Sequence, residues 1–426
     1  MSERGVTQHV SLAYGRDRLR VRAPERASVV LPRDVPGVAG EANAIRSALR
    51  APIGSAALTA LVPRGATVGI SICDGTRPFP GRRALPPLLD ELDRAGAGPI
   101  TIFVATGTHR RTTGAEIEAM LGADLLARAR VVQHDAFDAD RHWTLGTVPG
   151  SNVPARVDGE FLDQAVRITT GFIEPHFFAG FSGGPKMVAP GLAQLETVLE
   201  LHSAARIGDP RATWGVVEGN PVHEPIRAIA SRAGITLNLD VTLNRDREIT
   251  GVYAGDLLRS HTAGCAAARR DAMAAVAGPQ DLVVTTNSGY PLDQNLYQTV
   301  KGMSAAAQIV RPGGVILVAS ECSDGLPEHG RYAALLHEGR GPEPFLEALA
   351  GAPTPQHDQW QVQIQARIQR RARVLLHCRG LTADQVRGAW LEPVDDVQSA
   401  LDELSARAAT VAILPDGPQT IPYLAA

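Results

Sequence analysis

Residues 165–191 read AVRITTGFIEPHFFAGFSGGPKMVAPG. A short β-branched run at 165–170 breaks into a loop holding five glycines, three prolines, one His, one Lys and one Glu over 171–191. That is a strand running into shaped backbone, and two segments upstream repeat it. TVGISI at 67–72 ends in Cys73-Asp74-Gly75-Thr76-Arg77-Pro78, and ITIFVA at 100–105 ends in Thr106-Gly107-Thr108-His109-Arg110. Helical patterns over 83–95 and 113–129 lie between them. Strands alternating with helices predict a mostly parallel sheet with helices on both faces. In such sheets ligands bind beyond the carboxyl ends of the strands, which is where the polar, glycine-marked segments fall.

The second half has the same grammar. DLVVTT at 281–286 runs into Asn287-Ser288-Gly289-Tyr290-Pro291, a helix is expected over 293–310, and VILVAS at 315–320 follows Pro312-Gly313-Gly314. Further strands are expected at 373–377 and 410–414. The fold class is therefore α/β: two open α/β domains with mostly parallel sheets and an active site in the cleft between them. The boundaries read as 1–275 for a domain carrying a cofactor site and 280–426 for one closing over the substrate. An Ala/Arg-rich helix at 255–275 connects them. The Pro-rich stretch 325–360 reads as irregular, a candidate lid.

Composition narrows the function. The chain has 426 residues, 44% hydrophobic and 20% charged, with a formal net charge of −3. This suits a folded two-domain protein and offers no basic surface for nucleic acid. Four dispersed cysteines, Cys73, Cys265, Cys322 and Cys378, form no CxxC pair, so neither a zinc knuckle nor a disulfide framework is indicated. The first residues contain no apolar signal region, and no run approaches the roughly 20 apolar residues of a membrane span. A cytoplasmic protein without membrane partners is expected.

Several residues could carry chemistry. Ser182-Gly183-Gly184-Pro185-Lys186 suits an anion-binding nest with a cation at its end. It is neither GxxxxGK[ST] nor GxGxxG. Its plain alternative is a glycine-rich hairpin with a solvated lysine. Residues 192–206 read as a helix with His202 on or beside the apolar stripe of Leu192, Leu195, Val198 and Leu199; alone, such a histidine is more often core than ligand. Asp74 could bind ribose hydroxyls and Arg77 a carboxylate, or the two could form a capped turn. His109 could be a turn residue, and Thr106 or Thr108 a helix cap. Gln294, Tyr297, Gln298 and Lys301 share one face of the 293–310 helix, either solvated or lining a cleft.

Together, CDGTRP (73–78), ATGTHR (105–110), the 171–191 loop, the helix with His202 and DQNLYQTVKG (293–302) resemble the lactate racemase family, which uses a nickel-pincer nucleotide. The match follows the expected order over nearly the whole chain. One departure is Pro185, where a basic residue often precedes the lysine. The resemblance implies a pyridinium mononucleotide with two sulfur-bearing arms, its nickel bound by a ring carbon and two sulfurs, joined as a thioamide to Lys186. His202 would be the fourth nickel ligand, an imidazole suited to square-planar Ni(II). Asp74, Ser182, Gly183 and Gly184 would hold the ribose and phosphate. His109 and His176 would be the acid/base pair, and Arg77, Tyr297, Gln298, Lys301 and Trp360 would meet the substrate.

The implied reaction is inversion of C2 in a small 2-hydroxy acid, by proton-coupled hydride transfer through a transient 2-keto acid. The enantiomers present their hydroxyls on opposite sides, so two bases are needed, and histidine titrates near neutrality. Accessory enzymes would make the cofactor. Two other readings compete with this one. A metal hydrolase would use His109, His176 and His202, but no HExxH-like pair is present. A non-catalytic nucleotide-binding protein of the same fold would not need His109, His176, Arg77 and Lys301, all of which are present.

Overall fold

In the computed structural model, which describes residues 7–327, 330–352 and 354–425, VGISIC forms the strand Val68–Cys73 with every residue buried. Burial on both faces is what a central parallel strand demands of its sequence. Gly69 meets that demand through its lack of a side chain: a Cβ there would lie 3.2 Å from both Phe103 and Phe161. Ser71 meets it by donating its hydroxyl to Met187 O at 2.8 Å.

The chain forms two units, residues 34–271 and residues 1–33 with 272–426. In the first, six strands run in the order Ile249–Gly255, Leu237–Leu243, Val166–Phe172, Val68–Cys73, Ile100–Ala105, Arg130–Gln133. All neighbours are parallel except Ile249–Gly255, which runs antiparallel to Leu237–Leu243. The helix Gly81–Ala95 covers this sheet with Leu85, Leu88 and Leu92, spaced three and four apart, and with Ala84 beside them. Each buried leucine contributes ~1.5–3 kcal/mol. The helix stops at Gly96, whose φ of 74° lies in the left-handed region.

The expected helix over 113–129 is two helices, Gly114–Leu121 and Ala123–Arg128, divided at Gly122 with φ 77°. The first is capped by Thr113, which accepts the Glu116 N–H while Glu116 accepts the Thr113 N–H. Neither Thr106 nor Thr108 caps it; Thr106 donates to His134 O.

The other unit has an all-parallel six-stranded sheet ordered Glu392–Pro393, Arg373–His377, Val310–Ala319, Gln280–Thr286, Val411–Leu414, Ser28–Val29. The compact units divide the chain differently from the expected 1–275 and 280–426, with residues 7–33 packed in this unit. The hairpin Thr7–Tyr14/Asp17–Pro24 places Val10, Leu12, Tyr14 and Val21 in one core with Val284, Leu317 and Ile413. Ser28–Val29 pairs with Ala412–Ile413. Continuity along the chain suggested one grouping; buried apolar area and hydrogen bonds impose another.

The stretch 325–360 is also more regular than expected. It contains the helices Tyr332–Gly339 and Pro342–Ala350, and Gln359 begins a third, Gln359–Arg371. Pro342 is the first residue of its helix, where a missing N–H costs nothing. Among the described residues no helix is long and apolar enough to cross a membrane.

Candidate active site

Three neighbouring parallel strands deliver the candidate residues at their carboxyl ends. Asp74 follows Val68–Cys73, His109 follows Ile100–Ala105, and His176 follows Val166–Phe172. Asp74 and His109 meet: His109 Nδ1 lies 2.7 Å from Asp74 Oδ2. Asp74 Oδ1 accepts the Thr76 hydroxyl at 2.6 Å. Asp74 is 3% exposed. Burial alone would raise its carboxyl pKa, but His109, Arg77 and Thr76 outweigh it and hold the group at about 2. A permanent carboxylate on Nδ1 keeps the proton there, so the lone pair sits on Nε2. Asp74 is thus engaged by a histidine and a threonine. Arg77 is half-buried, with Nη1 on Thr76 Oγ1 at 3.1 Å.

The loop after Phe172 is pinned from below. Ser182 Oγ donates to Phe172 O and accepts the Glu174 N–H, each at 2.9 Å. Ser182 N–H donates to Glu174 O at 2.9 Å, and Gly184 N–H to Asp240 Oδ2 at 2.9 Å. His261 Nε2 donates to Ser182 O at 2.9 Å. Two amides of the expected anion nest are therefore already used, one by the buried carboxyl of Asp240. Ser182, Gly183 and Gly184 here shape the turn that presents Lys186. Burial pushes the Asp240 carboxyl up to about 7.

Lys186 follows in the short 3-10 turn Gly184–Met187. Burial and the nearby Arg77 bring its ammonium down to about 7, against a smaller opposing pull from Glu174. Its Nζ lies 3.3 Å from His176 Nε2 and 5.4 Å from the centre of the Phe178 ring. Phe178 stands edge-on to His176 at 4.5 Å and to His202 at 5.1 Å. One phenyl ring thus gathers two imidazoles and the amine. His176 Nδ1 accepts the Ala179 N–H at 3.3 Å, which leaves its proton on Nε2.

His202 is 4% exposed. It does not lie within a helix over 192–206: the helix is Leu195–Leu201, and His202 is its C-cap, before a second helix Ala204–Gly208. Its Nδ1 donates to Val198 O at 2.7 Å, which directs the lone pair to Nε2. A metal-ligating imidazole requires that arrangement.

These features fit the group that the sequence implies. A lysine that forms an amide-type bond must be able to lose its proton, and a single imidazole ligand must be held in one tautomer. Lys186 and His202 meet those conditions within one cluster. A metal held by protein side chains alone has no such support, because among the described residues no three His, Cys, Asp or Glu side chains are grouped to hold one. His109, His176 and His202 do not form the ligand set that the hydrolase reading needs.

In the other unit, Gln294 precedes the helix Leu296–Ala307 and Asn295 caps it, so the expected four-residue face loses its first member. Lys301 Nζ donates to Gln298 Oε1 at 2.6 Å, and Trp360 Nε1 donates to the Tyr297 hydroxyl at 3.1 Å. Gln298 and Trp360 are buried, so this is no solvated face.

Residues 14–215 match the lactate racemase N-terminal domain, and residues 276–421 match the lactate racemase C-terminal domain. Lactate racemase of Thermoanaerobacterium thermosaccharolyticum is 33% identical over 423 residues, 97% of this chain and 99% of that one. The chain belongs to the lactate racemase family. The lactate racemase of Lactiplantibacillus plantarum is 34% identical over 383 residues, 88% of this chain and 90% of its own. The solved lactate racemase apoprotein of T. thermosaccharolyticum superposes with a TM-score of 0.90 at 32% identity, covering 97% of this chain and all of that one. A Thermotoga maritima protein shares the fold at a TM-score of 0.71 and 19% identity, over 92% of this chain and all of its own. As a member of the lactate racemase family, this chain is an isomerase, a racemase.

Sequence reading missed two parts of this site and one compositional sign of it. Phe178 is its hub, and the Phe177-Phe178 pair beside His176 was a visible sign. Asp240 and His261 support the loop from 56 and 79 residues away, with no local signal. Third, of 42 basic residues only Lys186 and Lys301 are lysines. In a chain that otherwise uses arginine for positive charge, a lysine marks a place where an amine is required.

Proposed function

We propose that this racemase inverts C2 of a small 2-hydroxy acid, lactate or a close relative, by removing its hydride and returning it to the opposite face of a transient 2-keto acid. The observation that carries this reading is two histidines at the carboxyl ends of one sheet, each engaged at Nδ1, His109 by Asp74 and His176 by the Ala179 N–H, so that Nε2 is the nitrogen each has for proton exchange, as a base when neutral and as an acid when protonated. A reaction that takes a hydroxyl proton on one side and delivers one on the other needs such a base and such an acid. In the reverse direction the two exchange roles.

Arg77 is suited to grip the substrate carboxylate with its planar fork. Lys301, Tyr297, Gln298 and Trp360 are proposed as the second unit's contribution to substrate binding. Lys186 and His202 would hold a nickel-pincer nucleotide, the first covalently and the second through Nε2. When bound, that group supplies the hydride acceptor and donor. His109 meanwhile takes the hydroxyl proton, Arg77 keeps the keto acid from leaving, and His176 protonates the returning alkoxide. Dedicated accessory enzymes would supply the nucleotide.

Intact mass and nickel content, measured on protein co-expressed with the cofactor-synthesis enzymes, test this reading. A covalent adduct with about one nickel per chain is expected. No adduct and no nickel, with a known family member loaded in parallel, would overturn it.

A further inference from the structure

Two of the four cysteines come together, and the proposed reaction uses neither. Cys322 and Cys378 follow adjacent parallel strands, Val310–Ala319 and Arg373–His377, in which Ala319 pairs with His377. Beyond the strands the two backbones stay in contact. Gly380 N–H donates to Glu321 O at 2.9 Å, and a Cβ on Gly380 would strike Cys322 O at 1.6 Å. In that register Ser320 stands opposite Cys378, and the chain turns at Cys322, φ 52°, so that Cys322 packs against Gly380, two residues beyond Cys378. The two thiols lie close enough that each perturbs the ionisation of the other. Cys322 is fully buried with φ 52°, its sulfur 3.6 Å from both the Thr299 and the Ser320 hydroxyls. Cys378 is half-buried.

We infer that Cys378 and Cys322 form a redox pair that a hydroperoxide converts to a disulfide. Cys378 is the attacking sulfur. It is the more accessible, and the neighbouring Cys322 thiol lowers its pKa below the usual value despite burial. The same contact, with burial, raises that of Cys322. The Cys378 thiolate attacks a peroxide oxygen, the O–O bond breaks, and the leaving oxygen takes a proton to depart as water or alcohol. Cys378 becomes a sulfenic acid. The Cys322 sulfur then attacks Cys378, the S–O bond breaks, and the departing hydroxide takes the Cys322 proton and leaves as water. Two thiols lose two electrons and one hydroperoxide gains them.

The pair is wired to the helix that carries Lys301. Cys322 N–H donates to Asp293 O at 2.9 Å, Asp324 N–H to Gln294 O at 2.6 Å, and Leu296 N–H to Gly325 O at 3.1 Å. The turn 322–325 therefore sets the start of the helix Leu296–Ala307. Oxidation must draw the Cys322 sulfur away from Thr299, on that helix, toward Cys378. An effect on substrate binding rests on the proposed function; the disulfide does not.

The test is peptide mapping without reduction, on the full reduced chain treated with hydrogen peroxide. One linked pair, Cys322 with Cys378, is expected, reversed by dithiothreitol and absent when urea is present during oxidation. Cys73 and Cys265, buried with thiols pushed upward by burial, should stay reduced. Cys322→Ser should stop at a Cys378 sulfenic acid that a 1,3-diketone captures, and Cys378→Ser should give neither product. A wild-type chain that accumulates the sulfenic acid without a link, or a Cys378→Ser variant that oxidises Cys322 at the wild-type rate, would overturn the pair. If the serine variants do not fold, the native-against-urea comparison on the wild type decides alone. A disulfide that forms while KM stays unchanged would leave the pair standing and remove its link to the site.

Discussion

His109 Nδ1 and Asp74 Oδ2 stand 2.7 Å apart, and the carboxylate that makes this contact has its own pKa held at about 2. It stays ionised at any pH at which the protein would be used, so it fixes the His109 tautomer without titrating.

Replacing Asp74 with Asn should therefore leave the ring in place and misassign its proton. We expect kcat to fall by about 10²–10⁴-fold, the range for losing a positioned base, with covalent loading of Lys186 preserved. Steady-state racemisation and intact mass, measured on one sample, check both halves. The stability that this carboxylate contributes is present above its unfolded value of 3.8 and lost as pH falls toward about 2. Wild type and variant should accordingly converge in stability over that acid window.

Lys186 should behave as a nucleophile near neutrality. Its pKa is depressed to about 7, so the neutral amine predominates above that pH. Amine-reactive labelling of the unloaded chain should show a rate at Lys186 that rises through a midpoint near pH 7. With only Lys186 and Lys301 to compare, peptide mass spectrometry resolves the two directly. A midpoint near the ordinary lysine value would count against the burial described here. Between about 7 and 10.5 the unfolded chain holds this proton and the folded chain does not, so Lys186 makes stability rise with pH over that range.

Removing one histidine should separate the directions. His109→Ala leaves His176 to serve one enantiomer, and His176→Ala leaves His109 to serve the other. Racemisation should fall by about 10²-fold or more in each, while trapping of the keto acid with a carbonyl reagent continues from opposite enantiomers. Equal trapping from both enantiomers in both variants would argue against two one-sided bases.

Lys301→Ala should act on binding. A charge-assisted hydrogen bond is worth ~1.5–3 kcal/mol, so KM should rise about 10- to 150-fold. Covalent loading, which depends on the other unit, should not change.

Gly183→Ala tests the loop. Its φ is 74°, and an added Cβ would lie 3.0 Å from Phe172 O and from Ile173. A cost of ~1–3 kcal/mol is expected from the backbone alone. It should be visible as a lower urea midpoint and, because Lys186 is three residues on, as altered labelling of that amine.

The parts legible in the sequence were those written locally. TVGISI, ITIFVA and DLVVTT each announce a strand by a β-branched, mostly apolar run, and each strand lies within two residues of where it was read. The polar residues at their ends were legible for the same reason, since a parallel sheet leaves its chemistry at the carboxyl termini. What was not legible depends on distance. Leu237–Leu243 alternates apolar and polar residues as a strand does, but nothing local says that it adjoins Val166–Phe172 and brings Asp240 under Gly184. The Asp74–His109 bond needs two strands in register, Cys73 against Ala105, which no single segment specifies. Pro342 misled because proline signals a break inside a helix and a start at its first position, and the residue type alone does not distinguish them.

Ser28–Val29 completes a sheet whose adjoining strand, Val411–Leu414, lies almost at the other end of the chain. During synthesis the first strand leaves the ribosome and must wait while nearly everything else is made. At roughly 5–20 residues per second the wait is on the order of tens of seconds. The segment 34–271, whose sheet closes entirely on itself, can fold in that interval. Vectorial synthesis thus imposes an order: the inner unit matures first, and the outer one, begun earliest, is finished last.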